Sequence, residues 1–536
     1  MDPSLKIFWR KCSDFVCSRQ FLFVLIGIGL LLRLKYYSEN LSLWLDEAAL
    51  VLEILRRSFS EIFLVTNYNR YSPTAPVGFL LLEKSVIACL GSSEWALRLV
   101  PLACSVSSVF LFLPLAKKYV RVKAVPVALA LFAFAGPLIY YSAQVKPYSC
   151  DVLVAIFVFL GAAHIRDAQL GPGHTIVVGV IAAVALWFSY SALFVVGGTL
   201  VVLLAFALVE KRREKSILLF WVACLAGASF LTMYFNEFAQ ISDNSGLYQM
   251  WQKAFMPWPI GSWASLVWLQ EAFLNMFRET LGLSWAPLAA GLFILGAVVV
   301  FRKDRETAIL LLSPLAIALA AAMAHKYPFS GRLVLFLVPS LALLMAEGIV
   351  YVIDKFLKRP TGVLLLSAAV FFYPVQNAAD VLSRTHVFEE AKPVMRYLKG
   401  HYQERDAIFL NNSAQYAYGY YRGYYRFNVQ TPFAGVIVEP PGPLVEFDPT
   451  IHVVYVNYVR DQWGHLVGWH IGQSANAFSK EEWGKIRYNK RTWLVFSHAS
   501  AGYRKTVLDY FGREGKKLEE FHASGASIYL FDMGKS

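Results

Sequence analysis

Between residues 20 and 377 the sequence is built from apolar runs, most of them close to the roughly 20 residues that a helix needs to cross a bilayer core. Eleven such runs lie near 20–38, 98–118, 124–141, 149–165, 175–189, 190–209, 216–235, 284–301, 307–325, 331–352 and 361–377. This pattern leaves a chain few options. In lipid every backbone N–H and C=O has to be paired within the protein, so the runs are expected to fold as membrane helices. Composition agrees: 57% of the residues are hydrophobic and 16% are charged, where soluble domains carry about 25% charged residues. The formal net charge of +13 does not point to nucleic acid, because the basic residues sit in short clusters between the runs, as orientation in a membrane requires.

Those clusters test the count. They fall at the N-terminus (Lys6, Arg10, Lys11, Arg19), at Lys117-Lys118 with Arg121 and Lys123, and at Arg166. Further clusters are Lys211-Arg212-Arg213 with Lys215, Arg302-Lys303 with Arg305, and Lys355 with Lys358-Arg359. Eleven crossings place all of them on one side, the cytoplasmic one. The segment Pro76–Ser92 is also apolar, but it carries Glu83 and Lys84 at its centre, where charge is expensive in a bilayer. It is expected as an interfacial helix in a long external loop, 39–97. The N-terminal run Phe21–Leu32 is followed by Arg33, Lys35 and two tyrosines rather than a small-residue cleavage site. It reads as a retained first membrane helix whose end snorkels to the interface.

Odd parity puts 378–536 outside the cytoplasm. That part alternates helix-like stretches (Glu389–Tyr402, Lys480–Arg487) with β-rich runs at Ala407–Leu410, Ile451–Val459, Thr492–Ser497 and Ser527–Phe531, the pattern of a small α/β domain. Pro440-Pro441 and Gly442-Pro443 mark a loop within it. The chain shows no internal repeat. Its six cysteines, Cys12, Cys17, Cys89, Cys104, Cys150 and Cys224, form no CxxC pair and give no zinc spacing, and they read as structural thiols.

The outer-face segments carry the chemistry. Trp44-Leu45-Asp46-Glu47 follows the first membrane helix. A carboxylate there can take a proton from an acceptor hydroxyl or amine; equally, Asp46 can cap the following helix with Glu47 favouring its positive end. In the short second loop, Tyr140 to Tyr148, Lys146 lies at a helix boundary, and Asp151 one turn further on is a plausible partner for it. The external turn from His325 to Arg332 adds His325, Lys326 and Arg332, on the side that ordinarily lacks positive charge. Arginine suits a phosphate through its planar fork of donors, and the competing possibility is a pair with Asp151. One or two carboxylates and several cations at a membrane surface are what a lipid-phosphate sugar donor needs: cations stabilise charge growing on the phosphate, and one carboxylate base implies inversion at the sugar carbon. Tyr416, Tyr418, Tyr420, Tyr421, Tyr424 and Tyr425 can hold sugar rings or pack the domain against the membrane face. Trp251, Trp258, Trp263 and Trp268 read as interface anchors.

The sequence resembles the bacterial GT-C glycosyltransferases related to the protein O-mannosyltransferases and the aminoarabinose transferases of lipid A (glycosyltransferase family 39-like). The resemblance is carried by Trp44-Leu45-Asp46-Glu47, by Ser72 to Gly78, by Glu94-Trp95-Ala96-Leu97-Arg98-Leu99-Val100-Pro101, by Tyr141 to Tyr148 and by Tyr327-Pro328 to Arg332. It implies a polytopic GT-C membrane fold and an extracytoplasmic transferase that uses a polyprenyl-phosphate sugar. It also implies that Asp46 is catalytic with Glu47 beside it, and that Lys146 and Arg332 meet the donor phosphate. Lys326 is expected with them, and Asp151, His325, Arg98 and Tyr148 in support. Many relatives have Glu-Ala-Arg where this chain has Gln144-Val145-Lys146. No metal ligand is therefore assigned, and a divalent cation is left open as a cofactor.

The expectation is an α-helical polytopic membrane protein with about eleven spans, a catalytic part at 1–377 and an extracytoplasmic α/β domain at 378–536, in a bacterial inner membrane. It is expected to be an inverting glycosyltransferase. Its partners are a polyprenyl-phosphate-linked sugar, a lipid, glycan or protein acceptor, and the membrane. The alternatives are a lipid-linked sugar transporter or flippase, and a non-catalytic envelope-assembly subunit.

Overall fold

The computed structural model describes residues 14–64, 75–167, 171–238, 248, 250–357, 359–384, 389–403, 406–411, 413–425, 459–460, 466–468 and 491–534. The N-terminal basic residues Lys6, Arg10 and Lys11, the Ser72-Pro73-Thr74 part of the second motif, Lys358, the Pro440–Pro443 loop, the Lys480–Arg487 stretch and most of the Ile451–Val459 run lie outside the described residues.

The chain is a multi-pass helical membrane protein. Nine described helices are long and apolar enough to cross a bilayer, and a bent pair, Val122–Ala133 with Gly136–Ala143, gives a tenth crossing if taken as one. The shorter apolar helix Gly173–Phe188 accounts for the remaining predicted run. The bend of 53° falls at Phe134-Ala135, just before Gly136-Pro137, where a proline cannot continue the ladder of the preceding turn. Outward faces carry large apolar side chains, among them Phe23, Leu31, Ile176, Val180, Ile181 and Phe220, which is the surface that lipid requires.

The two ends of the bundle carry different loads. At one end the predicted basic clusters come together. Arg121, just past the helix Leu99–Tyr119, binds Glu347 (2.6 Å), and Lys123 binds Asp354 (2.9 Å). Arg166, at the end of Tyr148–Asp167, binds Asp304 (2.8 Å) and Glu306 (3.2 Å), where the helices Ala286–Lys303 and Arg305–Met323 meet. The opposite end holds Asp46, Arg98, Lys146 and Arg332.

The span Gly331–Lys355 is the hub, with 94% of its apolar window buried by its neighbours. It crosses Ala286–Lys303 backbone to backbone. A Cβ on Gly296 would run into the Leu344 carbonyl and one on Gly348 into the Leu292 carbonyl, the small-residue contact by which membrane helices approach closely. Arg33 departs from expectation. It does not snorkel but is fully buried, donating to Ser105 Oγ (2.8 Å) and to the Gly29 and Ala133 carbonyls. It sits a full turn inside its helix, where three inward acceptors take Nε and Nη1 in place of water and Nη2 has no partner among the described residues.

Val77–Leu90 is a helix that does not qualify as a span. Gly78 packs on Trp187 and Phe188, and Glu83 is fully buried. Beyond the last span, Pro360–Ser383, a four-stranded sheet has the order β1-β4-β6-β5, with β1 Ala407–Leu410, β4 Arg491–Ser497, β5 Lys516–Ala523 and β6 Ala526–Asp532. The pair β1–β4 is parallel and the others are antiparallel. A separate antiparallel pair joins β2 Val459–Arg460 to β3 Leu466–Gly468. Helix Ala391–His401 packs on one sheet face through Val394, Met395 and Leu398, and Ala501–Glu514 on the other through Tyr503, Val507 and Phe511. The helix Ala414–Tyr424 turns the first of these cores outward: its Tyr418, Tyr420 and Tyr421 share a buried cluster with Leu43, Ala48, Val51 and Leu52 of the Asp46 segment.

Candidate functional site

The helix Leu45–Arg56 begins after Trp44, so Asp46 lies inside its first turn and does not cap it. Glu47 is fully buried and points back under the turn. It takes a two-point ion pair from Arg98 (Nη2–Oε2 2.9 Å, Nε–Oε1 3.3 Å), the backbone N–H of Val145 (2.7 Å) and, more weakly, that of Trp44 (3.4 Å). Arg98 also donates to the Leu41 (2.6 Å) and Ser42 (3.1 Å) carbonyls. Burial works against the Arg98 charge, but the charge and hydrogen bonds of Glu47 outweigh it and hold the guanidinium above its ordinary range. Removing one partner of such a pair leaves a buried charge and costs about 3–5 kcal/mol. The pair ties three stretches together: 41–47, the start of Leu99–Tyr119 and the second loop.

With Glu47 turned inward, Asp46 faces the cleft. Its Oδ2 accepts from Arg332 Nη2 at 2.7 Å, and both side chains are partly exposed. Arg332 lies among three rings, with its guanidinium carbon 5.5 Å from the centroid of Trp44, 5.9 Å from Tyr148 and 5.4 Å from Trp251. The Tyr141 side chain lies close to it as well. Its Nε is buried and has no partner among the described residues, an unusual state for a donor that lacks solvent. Arg332 therefore pairs with Asp46 and not with Asp151.

Lys146 is buried at 5% exposure. Burial lowers its pKa, Asp46 opposes that shift, and Arg332 adds to it. The expected Lys146–Asp151 pair does not form: Asp151 is buried near Ser189 and Ser191, and its Oδ1 has no hydrogen-bond partner among the described residues. One turn of helix separates the two residues' backbones, and it carries Asp151 towards the neighbouring Ser189–Ser191 corner. Gln144 accepts from the Trp44 indole N–H (2.7 Å), which with Val145 docks the second loop against the Asp46 turn.

Two expected residues stand apart. His325 Nε2 donates to the Met256 carbonyl (2.7 Å) and Nδ1 shares a hydrogen bond with Tyr248 OH (2.9 Å), the ring stacked on Phe255. Both ring nitrogens are thus occupied away from Asp46. Lys326 is exposed, and no ion pair to it is found among the described residues. Trp251, read as an interface anchor, instead covers Arg332 and lines an adjoining cavity of about 320 Å³ with Lys253, Trp268, Glu271, Met276 and Val334. Spacing in the sequence carries no sign of that placement, because the Trp251 and Arg332 loops meet only in three dimensions.

Among the described residues no group of three or more His, Cys, Asp or Glu side chains is arranged to hold a metal ion. Beside Asp46 the loop supplies a carboxamide, Gln144, already engaged by Trp44. These donors do not fit an ion, and no step is assigned to one.

The chain is a polytopic membrane protein whose fold is of the GT-C type. Its structure resembles ArnT from Cupriavidus metallidurans bound to undecaprenyl phosphate, with a TM-score of 0.54 at 10% identity over 96% of this chain and 98% of that one. It resembles the apo form of ArnT with a TM-score of 0.52 at 10% identity, over 95% and 98% of the two chains. The Archaeoglobus fulgidus oligosaccharyltransferase in complex with zinc and sulfate gives a TM-score of 0.50 at 11% identity, over 94% of this chain and 72% of that one. No protein-family model matches the sequence. No curated protein matches it either.

Proposed function

We propose that this protein is an inverting glycosyltransferase that moves a sugar from a polyprenyl-phosphate donor to an acceptor hydroxyl or amine on the outer face of a bacterial cytoplasmic membrane. The observation that carries the reading is the Asp46–Arg332 pair, 2.7 Å long, in an aromatic-walled cleft with Lys146 close by. The ArnT structure it resembles holds undecaprenyl phosphate, which supports a lipid phosphate as the donor here.

In this reading the donor phosphate binds Arg332, whose Nε is free to donate, and Lys146. Engaging the phosphate loosens the hold of Arg332 on Asp46. The Asp46 carboxylate then takes the acceptor proton as the acceptor oxygen or nitrogen attacks the anomeric carbon. The bond from that carbon to the phosphate oxygen breaks, and its electron pair stays on polyprenyl phosphate. Arg332 and Lys146 stabilise that growing charge. Glu47 is a positioning residue: its oxygens are filled by Arg98 and Val145, so it orients the turn that presents Asp46.

The test is release of polyprenyl phosphate from a labelled lipid-linked sugar by purified protein. Asp46→Asn is expected to lower turnover by roughly 10²–10⁴-fold, the usual contribution of a positioned proton acceptor, while the protein stays folded in a thermal-melting check. Because Asp46 does not cap its helix, the amide has no capping role to preserve. Near wild-type turnover in Asp46→Asn removes Asp46 as the base, and the absence of release by the wild-type protein with any lipid-linked sugar removes the transferase reading.

A further inference from the structure

The sulfurs of Cys104 and Cys150 lie 3.1 Å apart, both as free thiols. They belong to two helices that pack along their length, Leu99–Tyr119 and Tyr148–Asp167. Cys104 is in the second turn of its helix and Cys150 in the first turn of its own, so both sit at the Asp46 end of the bundle. Of the other described cysteines, Cys17 lies near the opposite end, while Cys89 and Cys224 are exposed; no other cysteine pair is in contact among the described residues. No short motif joins these two cysteines, which lie 46 positions apart, so their contact is not visible in one dimension.

We infer that Cys104 and Cys150 form a disulfide that staples these two helices beside the site. The inference rests on the outward-facing orientation proposed above, because disulfides persist in oxidising compartments and not in the cytoplasm. The chemistry is thiol–disulfide exchange with an extracytoplasmic protein disulfide as oxidant. The Cys104 thiolate, the less buried of the two, attacks one sulfur of the oxidant and releases the other as a thiol. The Cys150 thiolate then attacks the Cys104 sulfur of the mixed disulfide and releases the second thiol. Two cysteine thiols are oxidised, one disulfide is reduced to two thiols, and both protons end on the oxidant's sulfurs. Exchange takes place while the chain folds, before Glu47 and Trp44 close over the loop that precedes Cys150.

The bridge fixes elements that carry the site cations. Arg98 immediately precedes the first helix, and Lys146 lies four residues before Cys150. A cross-link between Cys104 and Cys150 limits how far these two cations can separate, and so keeps the Arg98–Glu47 pair registered with Lys146.

The test uses the full-length protein in its membranes, lysed under denaturing conditions with excess N-ethylmaleimide. Reduction and a second, isotopically distinct maleimide follow, with peptide mapping. Cys104 and Cys150 are expected to carry the second label, and a non-reduced digest to contain their linked peptides. Dithiothreitol is expected to lower the melting temperature of the detergent-purified wild-type protein. Cys104→Ser and Cys150→Ser should each melt at the reduced value and no longer respond. First label on both cysteines, or a link from either to another cysteine, overturns the inference. The mapping needs no turnover, so its failure is distinct from failure of the transferase reading. It also stands if the serine variants do not fold.

Discussion

At the scale of single residues, Arg332 and Glu83 show how burial gives a charge its use. Arg332 presents Nη2 to Asp46 and keeps a buried Nε with no partner among the described residues, while rings of Trp44, Tyr148 and Trp251 hold its plane. A lysine keeps the charge but has neither the fork nor a plane to stack. Arg332→Lys is expected to weaken donor binding about tenfold or more, corresponding to one charge-assisted hydrogen bond of roughly 1.5–3 kcal/mol. Titration with polyprenyl phosphate measures this, and unchanged affinity would count against contact between Arg332 and phosphate. Glu83 is the converse case. It is fully buried, neither oxygen has a partner among the described residues, and burial raises its pKa well above the ordinary carboxylate range. Folding therefore retains its proton. The resulting contribution to stability is complete below the unfolded value, near pH 4.3, and is lost as pH rises towards and through the folded value. Glu83→Gln cannot ionise, so its melting temperature should gain on the wild type as pH rises from 5 to 8. Parallel melting curves across that range would show that Glu83 carries no such proton.

At the scale of elements, the segment 40–47 is clamped from the C-terminal domain. Glu390 accepts from Ser42 N (3.1 Å) and Ser42 Oγ (2.7 Å). Lys392 reaches the Asn40 carbonyl (2.8 Å) and pairs with Glu94 (2.9 Å). The buried hydroxyl of Tyr421, on the helix Ala414–Tyr424, accepts from Leu43 N (2.9 Å) and donates to Glu94 (3.1 Å). Tyr421→Phe strands the Leu43 N–H and is expected to cost about 1–3 kcal/mol, read as a lower melting temperature with a fall in turnover. Equal stability and turnover would mean the clamp is idle. This helix also marks a limit of the sequence. Its tyrosines were visible as a cluster, but their spacing is compatible with sugar binding, membrane packing or domain docking, and the partner lies more than 300 positions away. Asp46, Lys146 and Arg332 were legible because charge next to an apolar run is a one-dimensional signal. The division of labour between Asp46 and Glu47 was not. It depends on Arg98 and Val145 arriving from two other segments to fill one carboxylate and leave its neighbour facing the cleft. Arg33 was misread for the same reason, since Ser105 and the Ala133 carbonyl belong to helices that its own sequence does not announce.

At the scale of the whole molecule, each of the eleven apolar runs coincides with a helix, because lipid imposes the same demand on each of them; nine of these among the described residues are long enough to cross, a bent pair gives a tenth, and Gly173–Phe188 is shorter. The structure adds that the clusters meet physically. Arg121 with Glu347, and Arg166 with Asp304, join segments far apart in sequence at the end opposite Asp46. Which end faces the cytoplasm is then one binary choice. The basic end carries Lys117, Lys118, Arg302 and Lys303, all exposed, and positive charge near span ends is retained on the cytoplasmic side. The C-terminal sheet is tied to the Asp46 end through Glu390, Lys392 and Tyr421, so the proposed orientation requires it on the outer side. Single cysteines placed at exposed Lys303 and at exposed Lys517, in a background with Cys89→Ser and Cys224→Ser, test this directly. In intact spheroplasts a membrane-impermeant maleimide is expected to label position 517 at once and position 303 only after permeabilisation. The reverse order would invert the molecule. It would put the Asp46–Arg332 cleft in the cytoplasm, where the Cys104–Cys150 bridge would not persist and the proposed outer-face transfer could not take place.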